Sequence, residues 1–252
     1  MVTAACRRGF LKPQWCEAGG RWYWIDLADF VCRSILLEGG FDHDVVDSVL
    51  LSLPLGGTFI DVGAKVGSTT LAVAGRAGRV LAIEPNPAVA AVLRRNLARN
   101  VIHHVEVCEA ACSSRSGVIE LYLSPTRETV LVRCDRLDEL AAEHGLERVD
   151  VVRIDVEGAE RQVLRGMESL LARFHPVVIA EMDSSLLAAF HATPGELERF
   201  LAARGYTPER IDETNWIFRQ ETNALLKLEN SDVHPGPHSR SAPVLFASRD
   251  AL

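Results

Sequence analysis

This 252-residue chain has no run of eighteen apolar residues, no internal repeat, no C-x-x-C pair and no G-x-G-x-x-G loop. The first absence excludes a helix that spans a bilayer. The last argues against a dinucleotide bound in the usual way. Six cysteines are present (Cys6, Cys16, Cys32, Cys108, Cys112, Cys134) but lack metal-ligand spacing, so reduced thiols and a cytoplasmic location are expected. His234 and His238 have no third ligand type beside them, and no metal site is expected. Basic charge is also short. With 27 Lys and Arg against 34 Asp and Glu the net charge is −7, which gives no footprint for a nucleic-acid backbone. Cys6-Arg7-Arg8-Gly9 begins like an export signal, but Pro13, Gln14, Glu17, Gly19 and Gly20 stand where an apolar segment must follow, so export is not expected.

The hydrophobic content, 48%, suffices for one sizeable α/β core. Three segments are expected: an N-terminal cap over residues 1–55, a core over 56–228, and a tail over 229–252 whose Pro, Gly, Ser and His suit a flexible loop. Three of the four tryptophans, Trp15, Trp22 and Trp24, crowd into the cap, where packing on the core is expected over a lid role. Phe30 to Leu37 reads equally as strand or helix.

The most informative stretch is Thr58 to Leu71, a β-rich run, then a Gly63-to-Gly67 turn, then a helix start. Such glycines let backbone approach a ligand closely, and free N–H groups point at it. Here the spacing is G-x-x-x-G with Asp61 just before. A carboxylate repels a pyrophosphate but attracts the ammonium of a methionine moiety, so S-adenosylmethionine fits better than NAD. The next apolar strand ends in Glu84, placed to accept from ribose hydroxyls. Asn86 and Pro87 then start a helix to about Arg99. A third strand, Val105 to Ala110, carries Glu109 at its end, suited to an adenine amino group. Gly117 to Leu123 reads as a strand, and Ser124 to Thr129 as a loop.

The second informative stretch is Val149 to Glu160. A near-continuous apolar run there signals a strand buried on both faces, and it ends in Asp155, Glu157 and Gly158. Helical spacing continues from Val163 to Phe174, Val177 to Met182 is a further buried strand, Thr193 opens a capping box, and Tyr206 to Arg219 forms a closing hairpin. Asp61, Glu84, Glu109, Asp155, Glu157 and Glu181 all fall near strand carboxyl ends, where open parallel sheets bind ligands.

Phe59 to Gly67, Ile83 to Pro87, Asn96 to Asn100, Leu137 to Leu140 and above all Arg153 to Glu160 resemble the FkbM family of S-adenosylmethionine-dependent methyltransferases over residues 40–205. The resemblance implies a class I methyltransferase (Rossmann-like) α/β fold, a seven-stranded mostly parallel sheet with helices on both faces, and methyl transfer to a hydroxyl of a sugar, polyketide or other specialised metabolite. By position it implies cofactor contacts at Asp61, Gly63, Lys65, Gly67, Ser68, Glu84, Pro85, Asn86, Glu109, Ala110, Ala111 and Asp155. Lys65 stands where the family usually has Asn, Arg153 where it usually has Lys, and the stretch between Tyr122 and Val130 is short. Asp155 and Glu157 are the expected catalytic pair, Asp155 hydrogen-bonding the acceptor hydroxyl and taking its proton if burial raises its pKa. The expected partner is a small-molecule acceptor, with no nucleic acid and no membrane, and a homo-oligomer is left open. The competing readings are an NAD-dependent enzyme, a nucleic-acid methyltransferase and a non-catalytic cofactor-binding scaffold.

Overall fold

Alternating residues of the buried strands face two different helical layers, which fixes where each charged residue of the site ends up. The structure, a computed structural model, describes residues 12–40, 42–123 and 128–220. The tail over 229–252 and Cys6 lie outside the described residues.

The described residues begin with a hairpin, β1 (Gln14–Ala18) and β2 (Arg21–Ile25), then helices α1 (Phe30–Glu38) and α2 (His43–Ser52). The ambiguous Phe30 segment is therefore helical, with Asp29 accepting from the Cys32 amide as its N-cap. Next come β3 (Gly57–Val62), α3 (Ser68–Val73), β4 (Ala77–Ile83), α4 (Pro87–Arg99) and β5 (Val105–Cys108). The third strand stops before Glu109, shorter than the alternation predicts. β6 (Ala111–Cys112), β7 (Gly117–Leu123) and β8 (Glu128–Asp135) form a separate small sheet in the order β6-β8-β7. β8 is a correction: Glu128 and Thr129 open a strand rather than ending a loop, because Val130 and Val132 lie opposite Leu121 and Ile119 of β7. Residues 124–127 lie outside the described residues.

The chain continues through α5 (Leu137–Glu143), β9 (Val151–Ile154), α6 (Glu160–Gly166), α7 (Glu168–Phe174), β10 (Val177–Glu181), α8 (Ser184–Ala189), α9 (Pro194–Ala202), β11 (Tyr206–Arg210) and β12 (Asn215–Gln220). The expected single helix after β9 is two. It breaks at Met167, next to Gly166, where an added Cβ would lie 2.1 Å from the Ser113 carbonyl oxygen.

The main sheet has the order β11-β12-β10-β9-β3-β4-β5. β5, β4, β3, β9 and β10 are mutually parallel, β12 is antiparallel to β10, and β11 is antiparallel to β12. One strand of seven thus opposes the rest. On one face Ile60, Leu81, Val152 and Val178 pack with Leu140, Val163, Leu171 and Leu197. On the other, Phe59, Val80, Val151 and Val177 meet Val45 and Val49 of α2 and Leu53 just past its end, with Val73 of α3. Asp61 and Arg153 share the parity of this second set and face each other directly across β3 and β9.

The β1–β2 hairpin packs Tyr23 and Ile25 on the cluster that holds Leu71 and Leu93. Asn96 of α4 and Asn100 just past its end bind its outer edge. Asn96 accepts from Trp24 N at 2.6 Å while donating to Val66 O at 2.9 Å, and Asn100 accepts from Trp22 N and returns a bond to Trp22 O. Trp15, Trp22 and Trp24 stack with Arg95 and Arg99 of the same helix. The tryptophans are packing for the cap.

Candidate active site

The β3–α3 turn is closed by its own protein. Gly63 and Ala64 amides donate to Ile83 O, the Lys65 amide donates to Glu84 Oε2 at 3.0 Å, and Gly67 donates to Ala64 O. Gly63 (φ 85°) and Gly67 (φ 92°) hold left-handed conformations. The space their missing Cβ atoms leave is filled by protein: the Asp155 carbonyl oxygen stands 1.9 Å from that point at Gly63, and Leu71 and Leu93 crowd Gly67. Ser68, buried, begins α3.

Asp61 lies beneath this turn, fully buried. One oxygen accepts from Thr70 Oγ1 at 2.6 Å and the other from Arg153 Nη1 at 3.1 Å. Its carboxylate is thus committed inward. Arg153 is the hub: Nη2 also reaches Asp155 Oδ2 at 2.6 Å and Asp42 Oδ2, just ahead of α2, at 3.3 Å. Burial disfavours its charge, but Asp155, Asp61 and Asp42 together outweigh burial and raise its pKa. Asp42 shows the reverse balance, burial raising it despite Arg153.

Above the hub, Lys65 Nζ donates to both oxygens of Asp155, at 3.0 and 3.1 Å, and to Glu157 Oε1 at 2.8 Å. Lys65 (φ 51°) and Glu157 (φ 57°) are both left-handed non-glycine residues, a strained pair of loops facing each other. Burial works to raise Asp155, but Arg153 and then Lys65 overcome it and hold the carboxyl below its ordinary range. The expected rise on burial is therefore corrected: two cations pin Asp155 as a carboxylate and leave it a poor proton acceptor. Glu157 is exposed. Glu160, buried, accepts from the Val156 and Gly158 amides and shapes the turn between them. Glu181 ends β10 beside Asp155. Burial first, and then the Asp155 charge, push it up to about 8.

Glu84 is buried, with Oε1 accepting from Asn86 N at 2.8 Å and Oε2 from Lys65 N. Burial raises its pKa. Each oxygen takes one amide bond and keeps a lone pair for a neighbour. Two adjacent hydroxyls, as on a ribose, could donate to that acceptor pair. Pro85 and Asn86 follow, half-buried, with Asn86 capping α4 through Ala88 N. Glu109 is drawn instead to Arg94 of α4, Ala110 is buried in the core, and Ala111 opens β6.

Lys65, Glu84, Asp155 and Glu157 are thus joined directly, Asp61 lies under them, and Glu109 stands apart. Arg153, Asp42 and Thr70 received no role from sequence. A charge inside the run Val151-Val152-Arg153-Ile154 was the available signal, since a buried cation requires a carboxylate on the facing strand. Asp42 gave none, its partner being far along the chain.

A sheet in this order, with one opposed strand and acids ending its central strands around a glycine turn, defines the class I methyltransferase fold, whose methyl donor is S-adenosylmethionine. The profile of the Methyltransferase FkbM domain matches residues 61–208. The chain belongs to the FkbM methyltransferase family. Methyltransferase sdnD of Sordaria araneosa is 27% identical over 186 residues, 56% of this chain and 69% of that protein. AMB antimetabolite synthetase AmbE of Pseudomonas aeruginosa is 28% identical over 211 residues, 63% of this chain and 10% of that protein. The crystal structure of Methyltransferase FkbM from Methylobacillus flagellatus shares the fold with a TM-score of 0.50 at 20% identity, over 68% of this chain and 45% of that chain.

Proposed function

We propose that this methyltransferase acts on a hydroxyl of a small molecule, of the sugar or polyketide kind, in the cytoplasm. The observation that carries the reading is Lys65, whose amide holds Glu84 on the cofactor side while its ammonium holds Asp155 and Glu157 on the other. One residue thereby ties the ribose carboxylate to the mouth of the acceptor side. Net acidity supports a small acceptor over a nucleic acid, and a relative named as an antimetabolite synthetase supports a specialised-metabolite setting.

In this reading Glu84 accepts from the ribose hydroxyls, and Gly63 to Ser68 line the methionine part. Asp61 acts from beneath by holding Arg153 and Thr70 rather than by touching ligand. Pro85, Asn86 and Ala111 border the adenosine side. Bound S-adenosylmethionine supplies an electrophilic methyl group, and Asp155 and Glu157 orient the acceptor oxygen toward it, a placement that contributes much of the rate. Calorimetry with S-adenosylmethionine, S-adenosylhomocysteine and NAD in parallel tests the cofactor side: the first two bind and NAD does not. Glu84→Ala strands the ribose hydroxyls and weakens binding about tenfold or more, equivalent to ~1–3 kcal/mol. Incubation with methyl-labelled cofactor and a panel of sugar and polyketide alcohols, with RNA as comparison, tests the acceptor. Label appearing in RNA alone overturns the small-molecule reading.

A further inference from the structure

β9 and β10 run parallel with Ala180 opposite Ile154, so the next residue of each strand, Glu181 and Asp155, emerges side by side at the carboxyl edge. The two carboxyl groups are close enough that the charge on Asp155 disfavours a charge on Glu181. Two carboxylates so placed repel, and the repulsion is relieved when one of them holds a proton. Asp155 is the member held ionised, because Arg153 Nη2 at 2.6 Å and Lys65 Nζ at 3.0 Å both favour its charge. Glu181 is the member left to carry the proton. It is also the more open of the two, half-buried where Asp155 is 5% exposed.

The other groups around Glu181 agree with this division. Asp155 and Glu157 face it from the turn after β9, Glu160 from α6, and Lys65 from the turn after β3. Across β12 its register partner is Asn215, which is uncharged. Three carboxylates against one ammonium favour a neutral Glu181 in the free protein. A further cation brought close to it reverses that balance.

We propose that Glu181 and Asp155 share one proton in the free protein, give it up when the sulfonium-bearing cofactor binds, and recover it from the acceptor hydroxyl, Glu181 being the receiving base. The proposal rests on the small-molecule hydroxyl reading above. In the transfer, the acceptor oxygen bonds to the methyl carbon as the carbon–sulfur bond breaks. The bond's electron pair stays on sulfur, and the hydroxyl proton passes to Glu181. The sulfonium charge disappears in the same step, so the restored pair faces no cation beyond Lys65 and Arg153 and keeps its proton. Ionisation of the base is thereby coupled to the presence of a charged donor.

The coupling is measurable without an acceptor. Calorimetric titrations at about pH 7 in buffers of different ionisation heat count protons exchanged on binding. Wild type is expected to release close to a full proton with S-adenosylmethionine and none with the uncharged thioether S-adenosylhomocysteine, and the release fades above about pH 9, where Glu181 is already ionised. Glu181→Gln binds both compounds with no proton release. Equal proton counts for the two compounds in wild type, a comparison that needs no variant, overturns the proposal. So does release that persists in E181Q. Failure of S-adenosylmethionine to bind at all overturns the cofactor side of the site and the proposal with it, and is seen directly as absent heat.

Discussion

Arg153 is the residue on which the site's charge balance turns. It neutralises Asp42, Asp61 and Asp155, side chains from three separate segments, inside a sheet where an unpaired charge is costly. Arg153→Met leaves three carboxylates facing one another in the interior, and removing one partner of a buried ionic network costs about 3–5 kcal/mol. The expected outcome is a correspondingly lower urea midpoint. Arg153→Lys, the family's usual residue, keeps the charge but supplies one ammonium in place of a fork, so it falls between the two. Asp61 and Glu84 were both legible as strand-end acids, but Asp61 is committed to Arg153 and Thr70 while Glu84 is held by the backbone amides of Lys65 and Asn86. Sequence shows that an acid ends a strand. It does not show what stands opposite in register, and for Asp61 that neighbour is a cation made ninety-odd residues later.

At the scale of elements, the buried strands and their helices followed from apolar runs and caps, because a strand covered on both faces must be apolar throughout. β8 was hidden because its inward and outward residues differ little in character, Leu131 being exposed and Val132 buried. The glycine turn was located correctly but for an incomplete reason. Gly63 is required less by the ligand than by the Asp155 carbonyl, so Gly63→Ala, with φ 85° and an obstructed Cβ, is expected to yield little folded protein, read as loss of a cooperative melting transition. The hairpin latch makes a milder prediction. Asn96→Ala orphans Trp24 N and Val66 O, each worth about 1–3 kcal/mol when buried. Three of the four tryptophans sit in that hairpin, so their fluorescence should change at a lower temperature than far-ultraviolet circular dichroism, while wild type shows one coincident transition.

For the whole molecule, pH acts through two opposed sets of carboxyl groups. Asp155, Glu106 and Asp212 are held below their ordinary range, so the stability they contribute is present at neutral pH and is lost as pH falls through those lowered values. Asp42, Glu84, Glu160 and Glu181 are raised, mainly by burial, so the folded state holds their protons more tightly than the unfolded chain. Their contribution is lost as pH rises, and for Glu181 the window runs from the ordinary 4.5 to about 8. Melting temperature should therefore peak on the acid side of neutrality and decline toward pH 8, with a shallower decline in Glu181→Gln; a flat profile over that range contradicts the burial described. Sheet order has a consequence for the order of synthesis. β3 (residues 57–62) lies inside the sheet, yet its neighbour β9 (residues 151–154), the middle strand of the seven, is translated long after β4 and β5. A nascent chain that has emerged only that far presents a half-sheet with one bare, apolar edge and Asp61 awaiting its cation. For that interval the future centre of the enzyme is an unprotected strand edge, open to pairing with other chains and a natural place for a chaperone to hold.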